Sequence, residues 1–88
     1  MDYFLFTYPN CPHCEGLRKT LGDKGIVYSE YSLVQAPGKA KIREFIRHVK
    51  RDEKGSIILP TLILNDQGIV RAVLNSPEEL DQWLRSRG

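Results

Sequence analysis

The six residues Tyr3-Phe4-Leu5-Phe6-Thr7-Tyr8 contain no charged side chain, and Thr7 is the least apolar among them. Side chains of a strand alternate between its two faces, so an uninterrupted apolar run suits a strand covered on both sides, as in parallel or mixed sheets. The chain must therefore place further layers above and below its first strand. With 88 residues it has room to do so once, burying about 60% of its unfolded surface. A single domain over residues 1–88 is expected.

After Pro9 the pattern changes period. From about Pro12 the chain reads as helix, with Cys14, Leu17 and Leu21 on one face and Gly22 and Gly25 available as stops. Ile26-Val27-Tyr28-Ser29-Glu30-Tyr31-Ser32 has the β-branched and aromatic character of a second strand. Ala36-Pro37-Gly38 reads as a break, and Ile42, Phe45, Ile46 and Val49 then recur at helical spacing, which predicts a second helix. Asp52 to Ser56 is a polar loop. Ile57 to Leu64 and Ile69 to Leu74, joined by Asn65-Asp66-Gln67-Gly68, predict a hairpin. Ser76-Pro77-Glu78-Glu79 is a capping box opening a last helix that buries Leu80, Trp83 and Leu84. The order β-α-β-α-β-β-α implies an α/β fold, a four-stranded mixed sheet with three helices packed on it and a right-handed crossover in its first βαβ unit.

Composition narrows the classes of function. No apolar run approaches the roughly 20 residues that span a bilayer, and the start of the chain lacks a basic segment followed by an apolar core, so a cytoplasmic, membrane-free protein is expected. The net charge of +2 is too near balance to demand a nucleic-acid partner. Between Lys39 and Lys54, however, seven basic residues stand against three acidic ones. On a helical wheel most of these bases share a broad face, read first as solvated and second as a surface for an acidic protein or a carboxylate; no stacking aromatics interleave them, so nucleic acid is not expected. His48 is expected at the surface.

Two cysteines cannot build a disulfide framework, and both lie in Cys11-Pro12-His13-Cys14. Disulfide exchange needs one exposed, acidified thiol and a second within reach to resolve the mixed disulfide. Cys11 would precede the first turn of a helix, where free N–H groups and the positive end of the dipole favour an anion, and Cys14 would face inward. Cys11 is thus the expected nucleophile, with a pKa below about 7, and Cys14 the resolving thiol. His13 if protonated, and Arg18 or Lys19 one turn on, would add to thiolate stabilisation. His13 would also make the couple more oxidising. Pro12 suits the first turn because its missing N–H costs nothing there. The competing use of such a pair is half of a zinc site or a cluster shared between two chains, a binding module without turnover. Within one chain His13 and His48 would be the other candidate ligands. No metal site is expected.

Tyr8-Pro9-Asn10-Cys11-Pro12-His13-Cys14, the stretch from Leu21 into Ile26-Val27-Tyr28, and Leu59-Pro60-Thr61 together resemble glutaredoxins of the thioredoxin superfamily. The resemblance implies a thioredoxin-like, glutaredoxin-type fold, a small thiol–disulfide oxidoreductase acting on protein or glutathione mixed disulfides, and a cis peptide bond before Pro60. It implies that Leu59-Pro60 docks an extended partner chain by strand-like hydrogen bonds. Tyr8, beside the cysteine motif, is read from its position as packing over the sulfurs or forming part of the substrate groove. Arg47, Lys50 or Arg51 would face a ligand carboxylate, and Ser76 is read first as a helix cap and second as a carboxylate-binding group. The sequence departs from the family at Tyr8, where a lysine is common, and at Val70-Arg71-Ala72, read as the equivalent of a Gly-Gly turn that holds glutathione. Two electron donors therefore stay open: glutathione, or a thioredoxin-type reductase as used by related redoxins that share the Pro-Asn-Cys approach. No bound cofactor is expected, and the protein is expected to be a monomer whose partners are disulfide-containing proteins.

Overall fold

The computed structural model describes residues 1–86, so the last two residues of the expected 1–88 domain lie outside the described residues. The chain runs β1 (Asp2–Thr7), α1 (Pro12–Asp23), β2 (Ser29–Ser32), α2 (Ala36–Arg43), β3 (Thr61–Asp66), β4 (Ile69–Leu74) and α3 (Pro77–Ser86). The strands form one mixed sheet in the order β2-β1-β3-β4. β2 lies parallel to β1, and β3 antiparallel to both β1 and β4. This is the expected element order and sheet. Among the described residues no helix is long and apolar enough to cross a membrane.

The apolar run at the start of the chain becomes one of the two central strands. Leu5 and Phe6 are fully buried, and they serve different cores because adjacent side chains point to opposite faces. Leu5 joins Leu62, Leu64 and Leu74 of the sheet against Leu17 and Leu21 of α1 and Leu80 of α3. Phe6 joins Ile63 of β3 against Ile42 and Phe45 on the α2 side. Phe4, Phe6, Tyr31 and Phe45 pack their rings against one another there, with centroids 5.6–6.3 Å apart.

The hairpin turns at Gln67 and Gly68, both with positive φ (52° and 84°), the combination that matches the twist of the flanking strands. The β3–β4 register shifts at Leu64/Asn65, with Leu64 opposite Ala72 and Asn65 opposite Val70. Arg71 is the extra residue of this bulge. It lets Val70 join the α2-side core while Ala72 joins the opposite one. Val70-Arg71-Ala72 is therefore strand, and the segment linking the sheet to the last helix is Asn75-Ser76.

Three boundaries differ from the sequence reading. β2 is shorter than expected: Ile26 and Tyr28 pack on the core from outside the ladder, and Val27 is 90% exposed. β3 starts at Thr61 rather than Ile57. The largest difference is in α2, which begins at Ala36 and loses regular α geometry after Arg43. Pro37 sits in its first turn, where no N–H is needed. From Glu44 the winding tightens, as Glu44, Phe45 and His48 each donate to the carbonyl three residues earlier. Ile46 is consequently turned outward, 40% exposed. The basic stretch is thus divided among a helix, a set of turns and a loop, and does not form one helical face. Lys41 lies 4.5 Å from the ring centre of Phe4, and Lys50 pairs with Glu79.

Gly38 explains the early start. A Cβ there would fall inside the carbonyl oxygen of Ser32 and 2.7 Å from its carbon, so α2 can lie against the end of β2 only with a glycine at this position. Gly38→Ala should destabilise the protein by about 2 kcal/mol, in spite of the roughly 1 kcal/mol that alanine gains in a helix. The expected fall in Tm is roughly 10 °C. A thermal melt showing no loss would refute the close approach.

Candidate active site

The site forms where β1 hands over to α1. Tyr8-Pro9-Asn10 carries the chain off the sheet, and Asn10 adopts φ of 56°, a left-handed conformation that asparagine tolerates better than most residues. This turn sets Cys11 at the N-cap of α1 in extended geometry, with Pro12 opening the helix. The Cys14 N–H donates to the Cys11 Sγ at 3.2 Å and lies 3.1 Å from the Cys11 carbonyl oxygen. The sulfur thus takes the place that an aspartate or serine oxygen takes in an ordinary helix cap.

Cys11 and Cys14 are joined by a disulfide, with Cα atoms 5.2 Å apart. Cys14 is fully buried beside Leu17 on the core face of α1, whereas Cys11 is only partly covered. Attack from outside can therefore reach the first sulfur more readily than the second. Pro12 and His13 are exposed at the helix start. Among the described residues no group of three or more His, Cys, Asp or Glu side chains could hold a metal ion.

Arg18 takes a different part from the one expected of it. Its Nε and Nη2 donate to the two carboxylate oxygens of Glu30 at 2.8 and 2.6 Å, and Nη1 pairs with Glu15. Thr7 Oγ1 donates to the same Glu30 at 3.0 Å. The hydrogen bonds from Arg18 hold the Glu30 carboxyl below its ordinary pKa, and the same contact raises that of Arg18. Through the shared Glu30 carboxylate the guanidinium thus ties α1 to β2 and to Thr7, the last residue of β1, four residues before Cys11.

On the other side of the site the Leu59–Pro60 bond is cis, as the resemblance implied. β3 begins at the next residue, with Thr61 opposite Phe6, so the register brings Pro60 to the end of β1 from which the cysteine loop departs. A groove of about 290 Å³ runs beside it, lined by Tyr8, Leu33, Arg51, Ser56, Ile57 and Leu59. Three of the expected substrate-binding residues, Tyr8, Arg51 and Leu59, meet in this groove. Arg47 and Ser76 are not among its lining residues. Arg47 lies in the turns after α2, and Ser76 caps α3, its Oγ accepting the Glu79 N–H at 3.1 Å.

The Glutaredoxin family model matches residues 4–69. The chain belongs to the glutaredoxin family. Among solved structures it is similar to the glutaredoxin-like NrdH-redoxin from Escherichia coli, described for its thioredoxin-like activity profile. That match has a TM-score of 0.63 and 14% identity, covering 93% of each chain. It is also similar to thioredoxin 1 from the thermophilic eubacterium Thermosipho africanus TCF52B, with a TM-score of 0.60 and 11% identity over 99% of this chain and 98% of that one. No curated protein sequence matches it. At these identities the structural likeness establishes a thioredoxin-like fold, and family membership with the cysteine pair makes the protein a thiol–disulfide oxidoreductase in general kind.

Sequence reasoning missed the residues that hold the cis-proline segment. Asn75 Nδ2 donates to the carbonyl oxygens of Ile58 at 3.2 Å and Pro60 at 3.0 Å, and lies 3.3 Å from Thr61 Oγ1. Its partners are 14 to 17 residues away, so no local pattern reports them. Asn75 itself belongs to no motif, lying between the last strand and the Ser76-Pro77-Glu78-Glu79 helix start.

The ion pair under α1 carries a pH signature. Glu30→Gln should cost about 1 kcal/mol near neutrality, the upper range for a pair this exposed. Because the folded pKa is depressed, that stability is complete above the unfolded carboxylate value of about 4.3 and is lost as pH falls through the lower folded value. Melts of both proteins from pH 7 down to pH 2 should show their Tm difference constant to about pH 5 and shrinking below pH 4. A difference undiminished at the acid end would assign the effect to packing instead.

Proposed function

We propose that the protein reduces protein or glutathione mixed disulfides through a Cys11/Cys14 dithiol–disulfide cycle. The observation that carries this reading is the capping bond from the Cys14 N–H to the Cys11 sulfur, at the start of a helix whose inner face holds Cys14. An N–H aimed at a sulfur stabilises its anion more than its thiol, and the helix terminus adds its partial positive charge.

In the reduced protein the Cys11 thiolate attacks one sulfur of the substrate disulfide. A Cys11–substrate disulfide forms, and the other substrate sulfur leaves as a thiolate that takes a proton from solvent. Cys14, having given up its proton, attacks Cys11 Sγ, releasing the second substrate thiol and closing the Cys11–Cys14 disulfide. Two electrons have then passed from the cysteine pair to the substrate. His13 at the exposed helix start adds positive charge near Cys11 when protonated, and Pro12 holds the first turn. Leu59-Pro60 offers backbone to an extended substrate chain, with Tyr8 and Arg51 flanking it in the groove.

The disulfide is returned to the dithiol by two electrons from glutathione or from a thioredoxin-type reductase. Three features favour the reductase route: Tyr8 in place of a lysine, Asn75-Ser76 rather than a glycine pair between β4 and α3, and a Ser76 hydroxyl already used as a cap. A glutaredoxin-like neighbour described for thioredoxin-like activity agrees with it. Turnover with a thioredoxin reductase should exceed turnover with glutathione and glutathione reductase at least tenfold. The reverse order would assign glutathione as the donor.

Cys11→Ser should abolish reduction of a protein disulfide, and Cys14→Ser should accumulate a covalent mixed disulfide visible by mass spectrometry. A Cys11→Ser variant with wild-type turnover would refute the mechanism.

A further inference from the structure

The cis-proline segment is held by a closed circuit of hydrogen bonds. The Asn75 amide grips the carbonyls on both sides of Leu59, those of Ile58 and Pro60. The Ile58 N–H donates to the Lys50 carbonyl at 3.0 Å. The Lys50 ammonium reaches Glu79 Oε2 at 3.3 Å, and Glu79 Oε1 accepts the backbone N–H of Asn75 at 2.6 Å. Thr61 Oγ1 closes the inside of this ring by donating to the Ile58 carbonyl at 2.6 Å.

Leu59 is the exception within it. Among the described residues neither its N–H nor its carbonyl has a hydrogen-bond partner in the protein, and its side chain lines the groove beside Tyr8. Peptide groups left without partners at the end of a strand are a template for another extended chain. Their direction is set by the carbonyls on either side, and both of those are bound to one amide. Asn75 has a cost of its own, because its Oδ1 is buried with no partner among the described residues, a loss that an apolar side chain would not incur. The two donors on Nδ2 are what the position gains in return.

We infer that Asn75 is a positioning residue for substrate: its amide orients the Leu59 peptide groups so that they pair with the backbone of an extended polypeptide carrying the disulfide. This rests on the functional reading above and adds the selection of peptide-borne over small disulfides. The start of α3 thereby governs substrate choice without touching either cysteine.

The test compares two substrates with prereduced protein, following oxidation of the Cys11–Cys14 pair by alkylation and mass spectrometry. One is a disulfide within an extended peptide, and the other is 2-hydroxyethyl disulfide, which has no backbone to dock. For Asn75→Ala the ratio of the second-order rate constants, peptide over small disulfide, should fall about tenfold. The loss should appear as a higher half-saturating peptide concentration, with the limiting rate changed far less. Asn75→Asp keeps the shape but replaces the donors by an acceptor facing two carbonyls, so its ratio should fall at least as far, and it serves if the alanine variant folds poorly. Active variants that keep the wild-type ratio, or that lose both rates together in step with Tm, would overturn the inference alone. A wild-type protein inert to both disulfides would overturn the functional reading and the inference with it.

Discussion

The bond between the Cys14 N–H and the Cys11 sulfur is the contact on which the rest of the site depends. A helix begins with N–H groups that have no partner of their own, and here one of them is answered by a cysteine sulfur in the capping position. Two needs are met at once, since the helix gains its cap and the sulfur gains a donor that favours its ionised form. The same geometry places Cys14 one turn further on, buried on the core face. The difference between the two thiols thus follows from helix periodicity.

The sheet delivers this contact by anchoring what surrounds it. Thr7, at the end of a strand buried on both faces, binds Glu30, and Glu30 binds Arg18 on the helix that carries the cysteines. On the opposite side Asn75 binds the segment around the cis proline. The loop between them, Tyr8 to Asn10, needs only one unusual backbone conformation, at Asn10. Regular elements on both sides therefore present one partly exposed sulfur and the Leu59 backbone, without a hydrogen-bond partner among the described residues, at the same end of the sheet.

What was legible in the sequence was local. The apolar run Tyr3–Tyr8, the cysteine pair at a helix start and the Ser76 cap each declare themselves within a few residues and are found, although the Glu79 carboxylate accepts the N–H of Asn75 rather than that of Ser76 as a full capping box would have it. The expectation for α2 failed because its position depends on Gly38 lying against Ser32, a contact between elements that no periodicity encodes. Proline and glycine there looked like a break, and they prove to be the first turn. Arg18 was misread for a similar reason: its partner Glu30 lies twelve residues on, across a crossover. The bulge at Arg71 and the clamp at Asn75 are likewise products of tertiary registration. Leu59, placed by resemblance, Arg51, read from its charge, and Tyr8, read from its position beside the cysteines, share a groove, whereas Ser76 is used by its own helix.

The central claim is that the start of α1 makes Cys11 an acidic thiol. Its most direct test is the pH dependence of alkylation of Cys11 in the reduced Cys14→Ser protein, where the donating backbone N–H is retained and the second thiol is gone. A rate that reaches half its maximum below about pH 7 is the predicted result. A midpoint at or above about 8.5, the value of an unassisted thiol, would contradict the account.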